Sequence, residues 1–221
     1  MNAMKQAVIA REVPFLVHFT RTKNLRSILE HGIVPREQVD GEALVSSVND
    51  DLRLDKQLGA NCLSVGFPNA KMFYKLRQEN PGANWVILVV SRTILWEMPC
   101  ACCPINAASA SITSQPIANF RTPAAFDAMY DPSVAVDRGK EKLQTYDPTD
   151  VQAEVLAFGT IEPRHILGAI FQRKPIRDQY LADLGKRRNW VHGTGGFFPS
   201  AGTIGEASLA DGETSYLCTA P

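Results

Sequence analysis

The chain has 221 residues, of which 45% are hydrophobic and 21% charged, and its 23 basic and 23 acidic side chains cancel to a formal net charge of zero. That length and composition suit one soluble globular domain with a single core. The neutral charge argues against a protein that coats duplex DNA non-specifically, and no apolar run approaches membrane-spanning length. The cysteines are five, an odd number, and nothing suggests secretion, so we expect reduced thiols and a cytoplasmic location.

The first predicted elements are a strand and a short helix. The strand covers residues 14–20, and the helix begins near Asn24 and ends at Gly32 in the usual glycine fashion. His18 and Thr20 lie at the end of the strand, where polar side chains beside exposed backbone suit the binding of an amide and a sugar hydroxyl. The alternative for His18 is a buried histidine with a local hydrogen-bond partner.

The next segment, 46–55, is polar and predicts a loop or a helix start. Arg53 lies there among aspartates, so the simplest interpretation of Arg53 alone is a solvated ion pair. A strand is predicted over 61–67, followed by a helix in which apolar side chains recur at helical spacing from Met72. The continuous apolar run 85–90 predicts a fully buried strand.

The segment 100–103 is rich in cysteine. It indicates a metal site only weakly, because no matching pair of cysteine or histidine residues follows at ligand spacing. From 107 to 144 the chain is small, polar and irregular. Four side chains are predicted to anchor this stretch to the core: Phe120, Phe126, Met129 and Tyr130.

Two elements and a change of composition complete the chain. A buried strand is predicted over 166–171, and helical spacing is found over 176–188. Beyond Asn189, glycine, serine and alanine dominate. We therefore expect one domain over 1–188 and a loosely ordered C-terminal extension over 189–221.

The run 149–158 carries the main functional indication, because it predicts a strand that contains a carboxylate. Alternation places Gln152 and Glu154 on one face of that strand, over a shared cleft. A carboxylate inside an apolar strand is costly to bury unless it is paired or used in chemistry. Considered alone, Glu154 is better interpreted as an edge-strand residue that faces water than as a functional residue. The amide of Gln152 beside it shifts the balance towards a functional site.

Several short motifs, taken together and in order, resemble one protein family. They are His18-Phe19-Thr20 with Asn24-Leu25 and Ile28, Arg53-Leu54-Asp55, the segment from Ser64 to Phe67, Pro68-Asn69, Met72-Phe73-Tyr74, and Gln152-Ala153-Glu154. The set resembles the DarT family of DNA ADP-ribosyltransferase toxins, whose partner is the antitoxin DarG, over residues 14–174. The block 64–74 is most similar to the branch whose antitoxin carries a NADAR hydrolase domain.

The resemblance implies a fold and an activity. The fold would be the α+β ADP-ribosyltransferase fold, in which two small packed β-sheets form an NAD cleft flanked by helices; such a cleft needs no dinucleotide glycine fingerprint, and the chain has none. The activity would be that of a toxin that transfers ADP-ribose from NAD to a base of single-stranded DNA, with guanine favoured over thymine, and releases nicotinamide. The expected partners are single-stranded DNA and an antitoxin of the macrodomain or NADAR type. No membrane and no metal are expected, and the free chain is expected to be a monomer.

The resemblance also implies site residues. Glu154 and Arg53 would be catalytic, since a carboxylate that accepts a hydrogen bond from the ribose 2-hydroxyl gains strength as an oxocarbenium-like charge develops. NAD would be contacted by His18, Thr20, Asn24, Arg53, Ser64, Met72 and Tyr74. The DNA substrate would be contacted by Gln152, Arg77, Arg92 and Tyr146.

Two other functions stay open on the sequence. One is an ADP-ribosyltransferase with an RNA or protein acceptor, since Gln-x-Glu also occurs in transferases that modify protein side chains. The other is a non-catalytic module on the same fold that binds a nucleotide or a partner. The presence of both Glu154 and Arg53 argues against the non-catalytic module.

Overall fold

The computed structural model describes residues 2–39, 55–132 and 136–191, and the backbone of 204–208 and 214–218. Seven strands of this part of the chain form one sheet. In chain order they are β1 (Leu16–Arg21), β2 (Ala60–Val65), β3 (Trp85–Val90), β4 (Cys100–Cys103), β5 (Glu154–Phe158), β6 (Ile166–Phe171) and β7 (Arg188–Val191). A second, two-stranded antiparallel sheet consists of β8 (Ile204–Ser208) and β9 (Thr214–Cys218).

The large sheet has the strand order β4-β5-β2-β1-β3-β6-β7 and is antiparallel except between β6 and β7. β1 and β2 are joined through only two residue pairs, Leu16–Val65 and Val17–Ser64, whereas β1 and β3 are joined through six. The sheet therefore divides into a β5 half (β4, β5 and β2) and a β1 half (β1, β3, β6 and β7). The α+β class predicted from the sequence is confirmed. The two small packed sheets that the family resemblance implies correspond to the β5 half and the β1 half of the seven-stranded sheet.

Short α-helices surround the sheet. They are α1 (Ala3–Ala10), α2 (Leu25–His31), α3 (Arg36–Val39), α4 (Ala70–Glu79), α5 (Ile94–Glu97), α6 (Ala110–Thr113), α7 (Pro123–Ala128), α8 (Lys174–Asp178) and α9 (Leu181–Leu184), with 3-10 turns at Thr22–Asn24, Ile117–Phe120 and Pro163–His165. α2 ends at Gly32 as predicted, because its φ of +91° suits glycine and a Cβ there would collide with the Ile161 carbonyl oxygen. Within the described residues, no helix is long and apolar enough to cross a membrane.

Hydrophobic packing differs between the two faces of the sheet. On one face a single cluster spans both halves, from Leu16 in β1 to Val155 in β5. On the other face there are two separate clusters: Val17 packs with Phe73 of α4, and Leu156 packs with side chains from 105–120. By alternation, Glu154 shares the face of Leu156, so it lies on the divided side of the sheet.

Most of the predicted strands and anchors are confirmed. The strands predicted over 14–20, 61–67, 85–90 and 166–171 are β1, β2, β3 and β6, and every residue of β3 is buried. The predicted anchor residues are all buried: Phe120, Phe126, Met129 and Tyr130. The stretch from 107 to 144, expected to be irregular, also contains α6 and α7.

Two predicted elements are wrong in detail. β5 begins only at Glu154, and Gln152 precedes it in a turn, where its backbone N–H donates to Oδ1 of Asp150 at 2.7 Å. The predicted strand face shared by Gln152 and Glu154 is therefore not formed, because the Asp150 side chain stabilises a turn instead. The helical pattern over 176–188 is interrupted, since the range contains the end of α8 and the whole of α9. Gly185 ends α9 with a φ of +58°, and the chain then enters β7.

Candidate active site

Glu154 occupies an interior position of the sheet. It is the first residue of β5, which lies between β4 and β2, and it is only 6% exposed. The alternative of an edge-strand glutamate facing water is therefore wrong. A carboxylate at this depth requires hydrogen-bond donors for its oxygens.

Both carboxylate oxygens of Glu154 have such a donor. Asn69 Nδ2 donates to Oε1 at 3.2 Å, and the backbone N–H of Ala107 donates to Oε2 at 3.1 Å. Asn69 follows β2 and Ala107 follows β4, so the segments after the two strands that flank β5 each supply one donor. The two hydrogen bonds fix the orientation of the carboxylate.

Asn69 links the carboxylate to a helix and to a neighbouring strand. It is 1% exposed and is the N-cap of α4, where its Oδ1 accepts a hydrogen bond from the backbone N–H of Met72 at 3.1 Å. Its own backbone N–H donates to Oγ of Ser64 at 3.1 Å. The structure therefore brings two predicted site residues, Glu154 and Ser64, together through a third residue that was not among the predicted ones.

A buried thiol and a second carboxylate lie near Glu154. Cys103 of β4 is the direct cross-strand partner of Glu154 and is fully buried. Burial first, and then the negative charges of Glu154 and Asp55, raise the pKa of the Cys103 thiol to about 12, so the thiol is neutral at physiological pH. Asp55, itself 8% exposed, accepts a contact from Sγ of Cys62 at 3.8 Å. Within the described residues, no group of three or more histidine, cysteine or acidic side chains is placed to hold a metal ion.

Two polar residues of β1, Thr20 and His18, both have hydrogen-bond partners. Asn24 Nδ2 donates to Oγ1 of Thr20 at 2.9 Å, and both residues are buried. His18 is half-buried, and its Nδ1 lies 2.9 Å from the backbone oxygen of Cys62 in β2. Because a carbonyl only accepts, this contact requires the proton on Nδ1. The contact also spans the junction between the two halves of the sheet.

The predicted nicotinamide-side residues Met72 and Tyr74 lie in the first turns of α4. Tyr74 is 64% exposed and is therefore not a core residue, while Phe73 between them is 4% exposed and fills the core. Met72 is half-buried.

Tyr146 and Gln152 are two of the predicted substrate-side residues. Tyr146 is half-buried, and a Cβ on Gly66, whose φ is +65°, would lie 3.3 Å from its ring. Gln152 is half-buried in the turn that leads into Glu154. Both therefore lie on segments adjacent to residues of the site, Ser64 and Glu154.

The predicted arginines have different surroundings. The Arg77 guanidinium lies 5.6 Å from the centre of the Phe73 ring on α4. Arg92 Nη1 donates to the backbone oxygen of Val13 at 2.7 Å, between α1 and β1. Arg53 lies outside the described residues. None of these three roles is tested by the structure, and they stay predictions.

Chemically, the site is a fixed, water-poor carboxylate beside a helix N-terminus. An oriented anion of this kind stabilises positive charge that develops close to it, and it needs no reorganisation during the reaction. Ser64, whose hydroxyl oxygen accepts a hydrogen bond from the Asn69 N–H, adds a polar group close to the carboxylate.

Comparison with solved structures defines the fold. The chain is similar to Thermosipho africanus DarTG in complex with ADP-ribose, with 17% identity and a TM-score of 0.55 over 80% of this chain and 49% of that one. It is also similar to Thermus sp. 2.9 DarT in complex with NAD+ (13% identity, TM-score 0.53, 82% of this chain and 96% of that chain). The same protein in complex with ADP-ribosylated ssDNA gives 13% identity and a TM-score of 0.54, over 82% and 95% of the two chains. At these identities the likeness shows the fold, which is the ADP-ribosyltransferase fold predicted from the sequence.

A match of the amino-acid sequence to a family model shows the family to which the chain belongs. A family model described as "ssDNA thymidine ADP-ribosyltransferase, DarT" matches residues 17–191. The chain therefore belongs to the DarT family, a family of NAD-dependent ADP-ribosyltransferases, and the resemblance and enzyme class predicted from the motifs are confirmed. The chain spans about half the length (49%) of the Thermosipho chain. A search of curated proteins found no match.

Proposed function

We propose that the chain transfers ADP-ribose from NAD to a base of single-stranded DNA and releases nicotinamide. The observation that carries the proposal is Glu154, a buried carboxylate on an interior strand whose two oxygens are held by Asn69 and Ala107. Membership of the DarT family supports the reaction class and NAD as co-substrate. The relatives solved with NAD+ and with ADP-ribosylated ssDNA support the same substrates.

In the proposed reaction, the bond between nicotinamide and C1′ of the ribose breaks, and its electron pair leaves on the nicotinamide nitrogen. The ribose passes through an oxocarbenium-like state, which Glu154 stabilises by accepting a hydrogen bond from the ribose 2-hydroxyl. The acceptor base forms the new bond to C1′ and gives up its proton to solvent. Arg53 is proposed to assist at the transferred ribose or at the acceptor base.

NAD is proposed to lie across the junction between the two halves of the sheet. Thr20 accepts a hydrogen bond from Asn24, which directs the Thr20 hydroxyl hydrogen away from Asn24 and suits donation to a ribose hydroxyl. The exposed ring of Tyr74 and the half-buried Met72 form the nicotinamide wall in this proposal. His18 and Ser64 complete the proposed set of NAD contacts.

The acceptor is proposed to be an unpaired base, because a base within a duplex is stacked and hidden from the enzyme. Guanine is favoured over thymine through the similarity of block 64–74 to the NADAR-linked branch. Thymine is the alternative, since the description of the family model names thymidine. The DNA contacts are proposed to come from Gln152, Arg77, Arg92 and Tyr146.

The proposed biological setting is a toxin–antitoxin pair. The similarity to a DarTG structure supports an antitoxin partner, which we propose to be of the macrodomain or NADAR type. We propose that the free chain is a monomer that acts in the cytoplasm. The described cysteines, Cys62, Cys100, Cys102 and Cys103, are all free thiols, as expected in a reducing compartment.

The proposal is tested by incubating the purified chain with NAD and, separately, with four single-stranded homopolymeric DNA oligonucleotides, a mixed duplex, an RNA oligonucleotide and a protein pool. Intact mass then identifies the acceptor. We expect one ADP-ribosyl group on the guanine-containing single strand, little product on the duplex, and equimolar release of nicotinamide.

Glu154→Ala is the matched control in the same assay, because it removes the carboxylate together with the side chain beyond Cβ. Product on thymine alone would refute the guanine preference and leave the reaction class intact. Product on RNA or protein but on no DNA would refute the DNA acceptor. Failure to bind NAD at millimolar concentration would refute the enzyme altogether.

A further inference from the structure

We infer that Asn69 is a positioning residue that couples Glu154 to α4 across the junction of the sheet, an inference that rests on the proposed function. Besides the hydrogen bond that its backbone oxygen accepts from the Phe73 N–H, Asn69 makes three hydrogen bonds to three different parts of the chain. They join its backbone N–H to Ser64 Oγ at 3.1 Å, its Oδ1 to the Met72 N–H at 3.1 Å, and its Nδ2 to Glu154 Oε1 at 3.2 Å. At 1% exposure, water does not substitute for these partners.

The two side-chain contacts require a primary amide at position 69. Serine, threonine or aspartate would cap α4 equally well, because the helix needs only an acceptor for the Met72 N–H. Glu154 needs a donor from the same side chain, and an asparagine amide supplies an acceptor and a donor one bond further from the backbone than a serine or threonine hydroxyl. The contacts also fix the amide orientation, since a flipped amide would direct its oxygen at a carboxylate oxygen and its NH₂ at the Met72 N–H.

The position of Asn69 bridges the two halves of the sheet. Glu154 belongs to the β5 half, whereas α4 packs on the β1 half, where Phe73 joins the cluster of Val17 and Trp85. The two halves share only two residue pairs between their strands. Asn69 therefore holds the carboxylate and the helix that carries Met72 and Tyr74 at a fixed separation, on the side of the sheet where the hydrophobic packing is divided.

The inference is tested with Asn69→Asp, which keeps the helix cap and has no donor, and with Asn69→Ser, which keeps the cap through a hydroxyl that is one bond shorter and does not reach Oε1 of Glu154. We expect turnover to fall roughly ten- to hundredfold in both variants, as for a lost hydrogen bond to a charged group, with a much smaller change in the KM for NAD. Asn69→Asp also places a second carboxylate beside Glu154. Loss of the donor and the added negative charge both disfavour the ionised form of Glu154, so the acid limb of kcat/KM moves to higher pH in both variants, and further in Asn69→Asp than in Asn69→Ser.

Thr122→Ala is the matched control for the loss of a cap. The Thr122 hydroxyl accepts a hydrogen bond from the Ala125 N–H at 3.1 Å and caps α7, so its removal weakens a helix cap without altering the site. We expect Thr122→Ala to lower the melting temperature and leave turnover unchanged. Asn69→Ala, which loses both the cap and the donor, should show both effects.

Two outcomes overturn the inference. One is wild-type turnover in Asn69→Ser and Asn69→Asp. The other is a loss of turnover that follows the melting temperature across the Asn69 variants and Thr122→Ala, with no shift of the pH profile. Glu154→Ala is measured in parallel. If Glu154→Ala is inactive and the Asn69 variants are normal, only the inference fails, whereas full activity of Glu154→Ala removes the proposed function of that carboxylate.

Discussion

Glu154 in the β5 half of the sheet and Thr20 in the β1 half are held in different ways. In the β5 half, Glu154 is held by Asn69 and Ala107, which lie 85 and 47 residues away in sequence. In the β1 half, Thr20 is held by Asn24, only four residues away. The orientation of the carboxylate therefore depends on the assembled sheet, whereas that of the Thr20 hydroxyl depends on one local segment.

This difference suggests separate roles in the proposed reaction. A carboxylate that cannot reorganise suits stabilisation of charge that exists only in the transition state. A locally held hydroxyl suits a ground-state contact with NAD, which contributes equally before and during bond cleavage. Mutations in the two halves should therefore affect different kinetic constants.

The largest effect is expected from Glu154→Ala. Loss of a charge-stabilising group should lower turnover by roughly two to four powers of ten. NAD affinity should change far less, because the interaction strengthens only as the positive charge develops. Steady-state kinetics, NAD titration and a melting curve on the same preparation check this. A fold lost along with the activity would show a structural role, and activity within a few-fold of wild type would contradict the account.

A smaller effect, on the free energy of unfolding, is expected when the pH is raised, because the β5 half contains buried thiols. Burial raises the pKa of Cys103 to about 12, with Glu154 and Asp55 adding to the shift, and it raises that of Cys100 to about 12 against the smaller opposing charge of Arg121. A thiol with a higher pKa in the folded chain contributes stability that is complete below the unfolded value of 9.0 and is lost as pH rises towards 12. We expect the free energy of unfolding to fall above pH 9, by up to about 1.4 kcal/mol per pH unit and thiol.

Urea unfolding at a series of pH values above and below 9 measures that slope. Cys103→Ala should flatten it, because the variant no longer has a thiol that ionises only on unfolding. An unchanged slope in Cys103→Ala would show that this thiol is not the source. Cys62→Ala is a suitable control, since Cys62 is only half-buried.

Thr20→Val and Asn24→Ala test the β1 half and should have a smaller effect. Removing one neutral hydrogen bond costs about 1 kcal/mol, which corresponds to a rise of roughly fivefold in the KM for NAD. Turnover at saturating NAD should stay close to that of the wild type. Steady-state kinetics with NAD varied at fixed DNA separates the two constants. Equal losses in turnover and in kcat/KM would contradict the division of roles between the halves.

The smallest effect on nicotinamide release is expected from Gln152→Ala. Gln152 lies in the turn before β5, outside the hydrogen bonds that hold Glu154. Its loss should leave nicotinamide release within a few-fold of wild type and change the preference among acceptors. Release rates and product masses on the panel of DNA and RNA oligonucleotides check this. An effect on release as large as that of Glu154→Ala would assign Gln152 a role in bond cleavage.

Local patterns predicted most of the strands, and long-range pairing decided the rest of the site. Alternation correctly placed Glu154 and Val155 on opposite faces of β5. The burial of Glu154 could not be predicted in this way, because it depends on β5 lying between two strands that are far apart in sequence. The turn at Gln152 was missed because Asp150 competes for the backbone, although Asp150 is itself a turn-forming residue. The helical pattern over 176–188 does not continue as one helix, because Gly185 adopts a φ of +58° that ends α9.

Asn69 shows what a sequence conceals about a site. An asparagine between Pro68 and a helical pattern indicates an N-cap, and that local role was available from the sequence. Its contact with Glu154 was not, because nothing in the sequence pairs two residues 85 positions apart. Arg53, which the family resemblance makes catalytic, lies outside the described residues and stays a prediction.

The central claim is that the charge of Glu154, held in place by its hydrogen bonds, drives cleavage of the bond between nicotinamide and ribose. The most direct test is Glu154→Gln, which keeps the size of the side chain and removes its charge. Nicotinamide release is followed in a single turnover with saturating NAD and single-stranded DNA. The account predicts a rate lower by at least roughly a hundredfold, with NAD affinity within a few-fold of wild type. A wild-type rate of cleavage in Glu154→Gln would contradict it.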